Sequence, residues 1–161
     1  MSENYAVING KRIVLTEEHL KVLGIEIRKN PFERVNGQYY LINETGKVDS
    51  CVDDRDSFDD SVYVESNYFN DEQFANQIAL RQLLYRKLLK FSYENNCTDV
   101  EWNGHNDHWC IYYDPDDFKY CVAGFGLHKF DGVWFSSEEG AERAIEEVVK
   151  PFVKEHPEFV W

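Results

Sequence analysis

The same junction between a β-hairpin and a helix occurs twice in this chain. Residues 68–75 (YFNDEQFA) and 134–141 (WFSSEEGA) both contain an aromatic pair, a helix-capping residue, an acidic turn and an alanine in the same order. Each junction follows two short β-prone segments and opens an amphipathic helical pattern. A hairpin cannot bury its apolar face alone, so the two hairpin–helix units are expected to share one core. Chance recurrence of a common strand-to-helix junction is the alternative.

The pattern predicts an α+β fold: one antiparallel sheet built from β-hairpins, with two main amphipathic helices packed on one face. The predicted strands are 39–43, 47–52, 109–113 and 118–123. Asn70 and Ser136 are the predicted N-caps of the two helices, each with Gln or Glu three residues later. Phe69 and Phe135, just before these caps, are expected to be buried. Pro151 is expected to kink or end the last helix.

An N-terminal element precedes the two units. Asn9-Gly10 lies between two apolar triplets and predicts a hairpin over 5–14. Thr16 is the predicted cap of a short helix in which Leu20 and Leu23 face inward. The chain has 161 residues, the length of one compact domain. We therefore divide it into the N-terminal hairpin and helix (1–36), the first hairpin–helix unit (37–97) and the second (98–161).

Charge restricts the classes of partner. The chain has 17 Lys and Arg against 30 Asp and Glu, a net charge of −13, which disfavours direct binding of DNA or RNA. This charge suits solubility, capture of a basic partner, or occupation of a protein groove that normally holds nucleic acid. The sequence shows neither a secretory signal nor an apolar run long enough to cross a membrane. We expect a cytoplasmic protein that does not bind membranes.

The excess acid is concentrated between residues 37 and 72, where ten acidic residues face two basic ones. The sequence predicts a long acidic loop over 53–60 and an extended stretch over 61–65. This loop lacks the glycine and the terminal glutamate of an EF-hand calcium loop. Tyrosines beside the acids are typical of protein interfaces, although a solvated loop is the alternative. The candidate partner-binding residues are Asp53, Asp54, Asp56, Asp59, Asp60, Tyr63 and Glu65.

The cysteines suggest a metal site. If residues 114–117 close the third hairpin, Cys110 lies opposite Cys121, with Cβ atoms about 5 Å apart. With His108, and with His105, Cys97 or His128 as further candidates, the two thiolates could bind zinc. A register change of one residue would turn the thiols to opposite faces. Cysteine is also a common core residue, so the expected outcome is no cofactor, with zinc as the alternative.

No motif of nucleophilic, phosphate-binding or metalloprotease catalysis occurs, and we expect a protein that is not an enzyme. The phrases QYYLIN with GKV, NYFNDE, and WFSSE followed by the helix to Ala144 resemble small acidic proteins of phages and prophages of Gram-positive bacteria. That group includes anti-CRISPR inhibitors of Cas9.

The resemblance implies a cytoplasmic inhibitor in a bacterial host that binds a Cas9-type effector with its guide RNA and blocks DNA binding through acidic, nucleic-acid-like surface. A zinc-stabilised or small-ligand-binding phage accessory protein is the first alternative. An unrecognised enzyme is the second.

Overall fold

The structure is a computed structural model that describes residues 5–8, 10–24, 30–99, 101–102 and 104–161. Within these ranges the chain forms three β-hairpins and four helices, which confirms the α+β class. The elements are β1 (Tyr5–Ile8), β2 (Lys11–Val14), α1 (Glu17–Val22), β3 (Gln38–Ile42), β4 (Val48–Val52), α2 (Ser57–Val64), α3 (Glu72–Glu94), β5 (His108–Asp114), β6 (Lys119–Phe125), α4 (Glu138–Ala144), a π-helical segment (Ile145–Val149) and α5 (Lys150–Glu155). The last helix is continuous through α4, the π-helical segment and α5.

The N-terminal hairpin and short helix form as predicted. β1 pairs antiparallel with β2, although Asn9 of the predicted turn lies outside the described residues. The Thr16 hydroxyl accepts a hydrogen bond from the backbone N–H of His19 at 3.3 Å and caps α1. Leu20 is buried as expected. The inward position predicted for Leu23 is wrong, because Leu23 follows the last turn of α1 and is 60% exposed.

The predicted merger of the hairpins into one sheet is wrong. Among the described residues, β3 pairs only with β4 and β5 only with β6 within a sheet. These two hairpins instead each form a bridge with the segment before a helix. Phe69 exchanges backbone hydrogen bonds with Tyr40 at 2.8 and 2.9 Å, and Phe135 does so with Trp109 at 3.0 and 2.8 Å. The edges of β3 and β5 are therefore occupied at the places where another hairpin could pair.

The two junctions are equivalent in the structure, as the repeat predicts. Phe69 is 2% exposed and Phe135 is 0% exposed, which confirms the expected burial of both rings. The alanines six residues later, Ala75 and Ala141, are also fully buried. Both units therefore share one arrangement, in which an aromatic residue bridges the hairpin edge and a buried alanine lies near the start of the helix.

Both helices begin one residue later than predicted. The Asp71 side chain caps α3 by accepting from the N–H of Phe74 at 2.8 Å, and Ser137 caps α4 by accepting from Gly140 at 3.1 Å. The predicted caps bond elsewhere. The N–H of Asn70 donates to Pro31 and that of Ser136 to Cys97, each at 2.9 Å.

Ser137→Ala is expected to lower the free energy of unfolding by about 0.5–2 kcal/mol, because it removes a hydroxyl that satisfies a helix N–H. Ser136→Ala is the matched control and should have little effect, since the contact of Ser136 with Cys97 uses only its backbone. Urea denaturation of the two variants measures the difference. Equal losses would contradict the assignment of the cap.

The register of the third hairpin differs from the predicted one. The closing pair is Asp114 and Lys119, so Cys110 lies opposite Ala123, and Cys121 lies opposite Tyr112. The Asp114 side chain accepts hydrogen bonds from the N–H groups of Asp116 and Asp117, which moves the turn one residue towards the C-terminus. The two cysteines are on one face of the hairpin, but they are diagonal neighbours rather than a directly opposed pair.

The last helix runs through Pro151 instead of ending there. The π-helical segment precedes α5, and Pro151 stands in the first turn of α5. A proline inside a helix removes a backbone donor and crowds the carbonyl four residues earlier, and the wider π turn occurs at that place. The chain continues helically to Glu155.

Two apolar clusters support these elements. The larger joins the C-terminal half of α3 to the last helix and consists of Leu84, Leu88, Phe91, Cys97, Phe135, Ala141, Ala144, Val149 and Phe152. The smaller lies under α2 and consists of Tyr39, Leu41, Val62 and Tyr68. On α3, Tyr85 is 44% exposed.

Candidate protein-binding surface

The predicted acidic loop is largely a helix. α2 covers Ser57–Val64, so the predictions of a loop over 57–60 and of an extended stretch over 61–65 are wrong. The Asp56 side chain accepts from the N–H groups of Phe58 and Asp59 at 2.8 and 2.9 Å. The Asp59 side chain in turn accepts from the N–H of Asp56 at 3.4 Å. This reciprocal capping box satisfies the helix N-terminus, where carboxylates also interact favourably with the helix dipole.

Asp59 connects α2 to the first hairpin from inside the protein. It is 4% exposed and accepts a 2.8 Å hydrogen bond from the hydroxyl of Tyr39, which is fully buried. The Tyr39 ring stacks on Tyr68 at a centroid distance of 4.2 Å. Burial and the hydrogen bond to Asp59 raise the pKa of Tyr39. Asp59 is therefore an internal structural residue, and its predicted place on a partner-binding surface is wrong.

Arg34 holds the start of this segment. Its guanidinium donates to both oxygens of Asp53 at 2.6 and 2.7 Å and to Asp60 at 2.6 Å. The Asp53 side chain is only 1% exposed, so it is a structural residue, and the prediction that it contacts a partner is also wrong. The hydrogen bonds from Arg34 hold the pKa of the Asp53 carboxyl well below its usual range. This bidentate pair fixes the chain just before α2.

The outward side of α2 combines carboxylates with apolar side chains. Of the seven predicted partner-binding residues, Asp54, Asp60, Tyr63 and Glu65 are exposed, and Asp56 is exposed but used as the cap. Beside them, Phe58 is 56% exposed and Val64 is 80% exposed. We name the exposed set Asp54, Phe58, Asp60, Tyr63, Val64 and Glu65 the α2 surface. It is acidic, apolar in part, and held in place from beneath by Arg34 and Tyr39.

The predicted metal ligands are not assembled around a common point. His108 is 1% exposed and its Nδ1 lies 2.7 Å from Asp99 Oδ2, while its ring stacks on Trp102. Cys110 is buried, and burial raises the pKa of its thiol. Within the part of the chain that the structure describes, no three His, Cys, Asp or Glu side chains form a group suited to a metal ion. Zinc binding by His108, Cys110 and Cys121 stays a prediction.

A cavity of about 600 Å³ lies between α3 and the β3–β4 turn. Ile78, Gln82 and Arg86 line it at intervals of four residues along α3. A Cβ on Gly46 would come within 2.8 Å of the Arg86 guanidinium, and Gly46 has a φ of +81°. A glycine at this position therefore allows the arginine to lie across the turn.

Arg34 and Tyr39, which hold the α2 surface in place, were not among the candidate site residues. Arg34 precedes the predicted strand over 39–43 and is 19 positions before Asp53, and Tyr39 is 20 positions before Asp59. The capping box of Asp56 and Asp59 was detectable, because its spacing is that of a helix N-terminus. The exposed apolar residues Phe58 and Val64 gave no signal, since nothing local distinguishes an exposed phenylalanine from a buried one.

No family model, curated protein or solved structure matches this chain. Among the described residues, no helix combines the length and the apolar character needed to cross a membrane.

Proposed function

We propose that this chain is a protein-binding protein whose acidic first unit occupies a basic, nucleic-acid-binding surface of a partner protein. The observation that carries the proposal is the α2 surface, where exposed carboxylates and exposed apolar side chains occur together on and beside a helix anchored from below. Anchoring matters because a preorganised surface loses less conformational entropy on binding than a flexible acidic loop would. The apolar residues supply contact area, and the carboxylates supply attraction to lysine and arginine.

A Cas9-type effector loaded with guide RNA is the first partner to test, since the sequence resemblance points to it. Such an effector holds nucleic acid in a positively charged channel. The chain would act by competing for that channel without catalysing a reaction and without contacting nucleic acid directly. Its excess of carboxylates supports this mode of action, because phosphates repel them.

The triple variant Asp54→Asn, Asp60→Asn and Glu65→Gln is expected to weaken binding to the loaded effector by about tenfold or more at low salt. Phe58→Ala is expected to weaken binding at all salt concentrations, because it removes apolar contact area. Titration at 50 and 300 mM salt separates these two effects, since screening acts on charges only. Competition with target DNA is the second measurement.

The matched control removes three exposed carboxylates elsewhere, through Glu101→Gln, Asp131→Asn and Glu155→Gln. We call it the control variant. We expect it to change the affinity by less than about twofold, because it changes the net charge of the chain but leaves the α2 surface intact. If the control variant loses as much affinity as the triple variant, net charge rather than the α2 surface governs binding. Absence of saturable binding rules out the Cas9-type partner. Capture of the same host proteins by wild type and triple variant would overturn the general proposal.

A further inference from the structure

A groove lies in the second hairpin–helix unit, whereas the α2 surface lies in the first. It runs between the β5–β6 hairpin and the helical wall formed by α4 and the π-helical segment, and its volume is about 1030 Å³. The helical wall contains 7 and 5 residues in its two parts, about 18 Å at the helical rise. The groove is therefore long enough for about three turns of a docked helix.

One wall of this groove is aromatic and open. Phe118 is 79% exposed and Tyr112 is 41% exposed, and both line the groove. Phe118 lies in the β5–β6 turn with a φ of 52°, so the turn directs a large apolar side chain away from the core. Exposed aromatic residues of this kind are typical anchors of protein interfaces.

The facing wall is acidic, and part of its charge has no counter-charge. Lys150 pairs with Glu146, and Arg143 with Glu147, so both helical cations of the groove are already in ion pairs. Glu138, Glu139 and Glu142 also line the groove and have no cationic partner among the described residues. These glutamates lie in the first turns of α4, where negative charge interacts favourably with the helix dipole. That interaction does not account for the exposed aromatic wall opposite them.

Charge and shape together select the occupant. Lysine and arginine carry apolar stems that pack on aromatic rings, while their charged ends reach carboxylates. A nucleic acid or an anionic membrane would be repelled by the unpaired glutamates. We propose that this groove docks a basic amphipathic helix of a partner protein, with its apolar stripe on Tyr112 and Phe118 and its cations on Glu138, Glu139 and Glu142. This inference goes beyond the proposed function, because it concerns a different surface.

The test uses a fluorescent 18-residue helical peptide with leucine on one face and lysine and arginine on the other. Fluorescence anisotropy with the full chain should show saturable binding. Glu138→Gln, Glu139→Gln and Glu142→Gln together should weaken it by about tenfold. Phe118→Ala should weaken it by about fivefold or more. The control variant should change the affinity by less than about twofold.

Three results of the peptide assay would overturn the inference. They are absence of saturable binding, equal binding of a scrambled peptide of the same composition, and an equal loss with the control variant. Sedimentation of the free chain checks a second copy as the occupant: self-association that the Phe118→Ala change abolishes would assign the groove to a dimer instead. The Asp54, Asp60 and Glu65 triple variant should bind the peptide like wild type, so failure here and failure of the proposed function are separate results.

Discussion

Phe69→Ala and Phe135→Ala are each expected to lower the free energy of unfolding by about 3–5 kcal/mol, close to the whole stability of a weakly stable domain. Both rings are almost completely buried at the point where a hairpin edge meets a helix start. The backbone bridges do not involve the side chains, so the loss reports removal of the ring and the cavity it leaves. Guanidinium denaturation followed by circular dichroism measures it.

Phe58→Ala and Phe118→Ala are the matched controls, since these rings are 56% and 79% exposed. They should change the free energy of unfolding by about 0.5 kcal/mol or less. A similar loss in all four variants would show that the two junctions have no special structural role. A large loss for only one of Phe69 and Phe135 would contradict their equivalence.

Asp53→Asn is expected to cause the second large loss of stability at neutral pH, and that loss should shrink in acid. The Arg34 guanidinium depresses the pKa of Asp53 in the folded state, whereas the unfolded chain has an ordinary aspartate pKa of about 3.9. The unfolded state therefore takes up the proton first as pH falls. The stabilisation that Asp53 provides is complete above about pH 5. It is lost progressively below about pH 4, as the pH approaches the depressed pKa of Asp53 in the folded state.

Melting temperatures of wild type and Asp53→Asn between pH 2 and pH 7 measure this effect. Asp116→Asn is the control, because Asp116 is exposed and has no cationic partner among the described residues. Wild type and Asp53→Asn should differ most at pH 7 and converge in acid, and Asp116→Asn should follow wild type. A difference that stays constant with pH would show that the ion pair with Arg34 does not provide the stabilisation.

The buried acids also change how the charge of this chain is interpreted. Asp53 and Asp59 belong to internal networks with Arg34 and Tyr39, so their combined replacement would test the fold rather than partner binding. The α2 surface is smaller than the acidic segment from which it derives. Of its carboxylates, Asp54 and Glu65 are in no ion pair among the described residues, whereas the exposed Asp60 also pairs with Arg34. Urea denaturation of the triple variant should therefore accompany its binding assay.

Local features of this fold could be predicted from the sequence alone. Turns, helix caps and amphipathic periods depend on residues within a few positions of each other, and the predictions for β3–β4, α1, α3 and the buried Phe69 and Phe135 are confirmed. The caps of α3 and α4 shifted by one residue, because Asn70 and Ser136 bond to distant backbone carbonyls. The repeated junction was detectable because its whole pattern lies within eight residues.

Only the tertiary structure decided which carboxylates are buried and which face solvent. Arg34 reaches Asp53 and Asp60 across the chain, and the Tyr39 hydroxyl reaches Asp59, contacts that no local spacing specifies. The register of the third hairpin likewise depends on one aspartate side chain closing a turn, and a shift of one residue in the turn changes the partner of every residue in the strand. The charge of the chain is a property of its sequence, whereas the surface that presents that charge is set by long-range packing and hydrogen bonding.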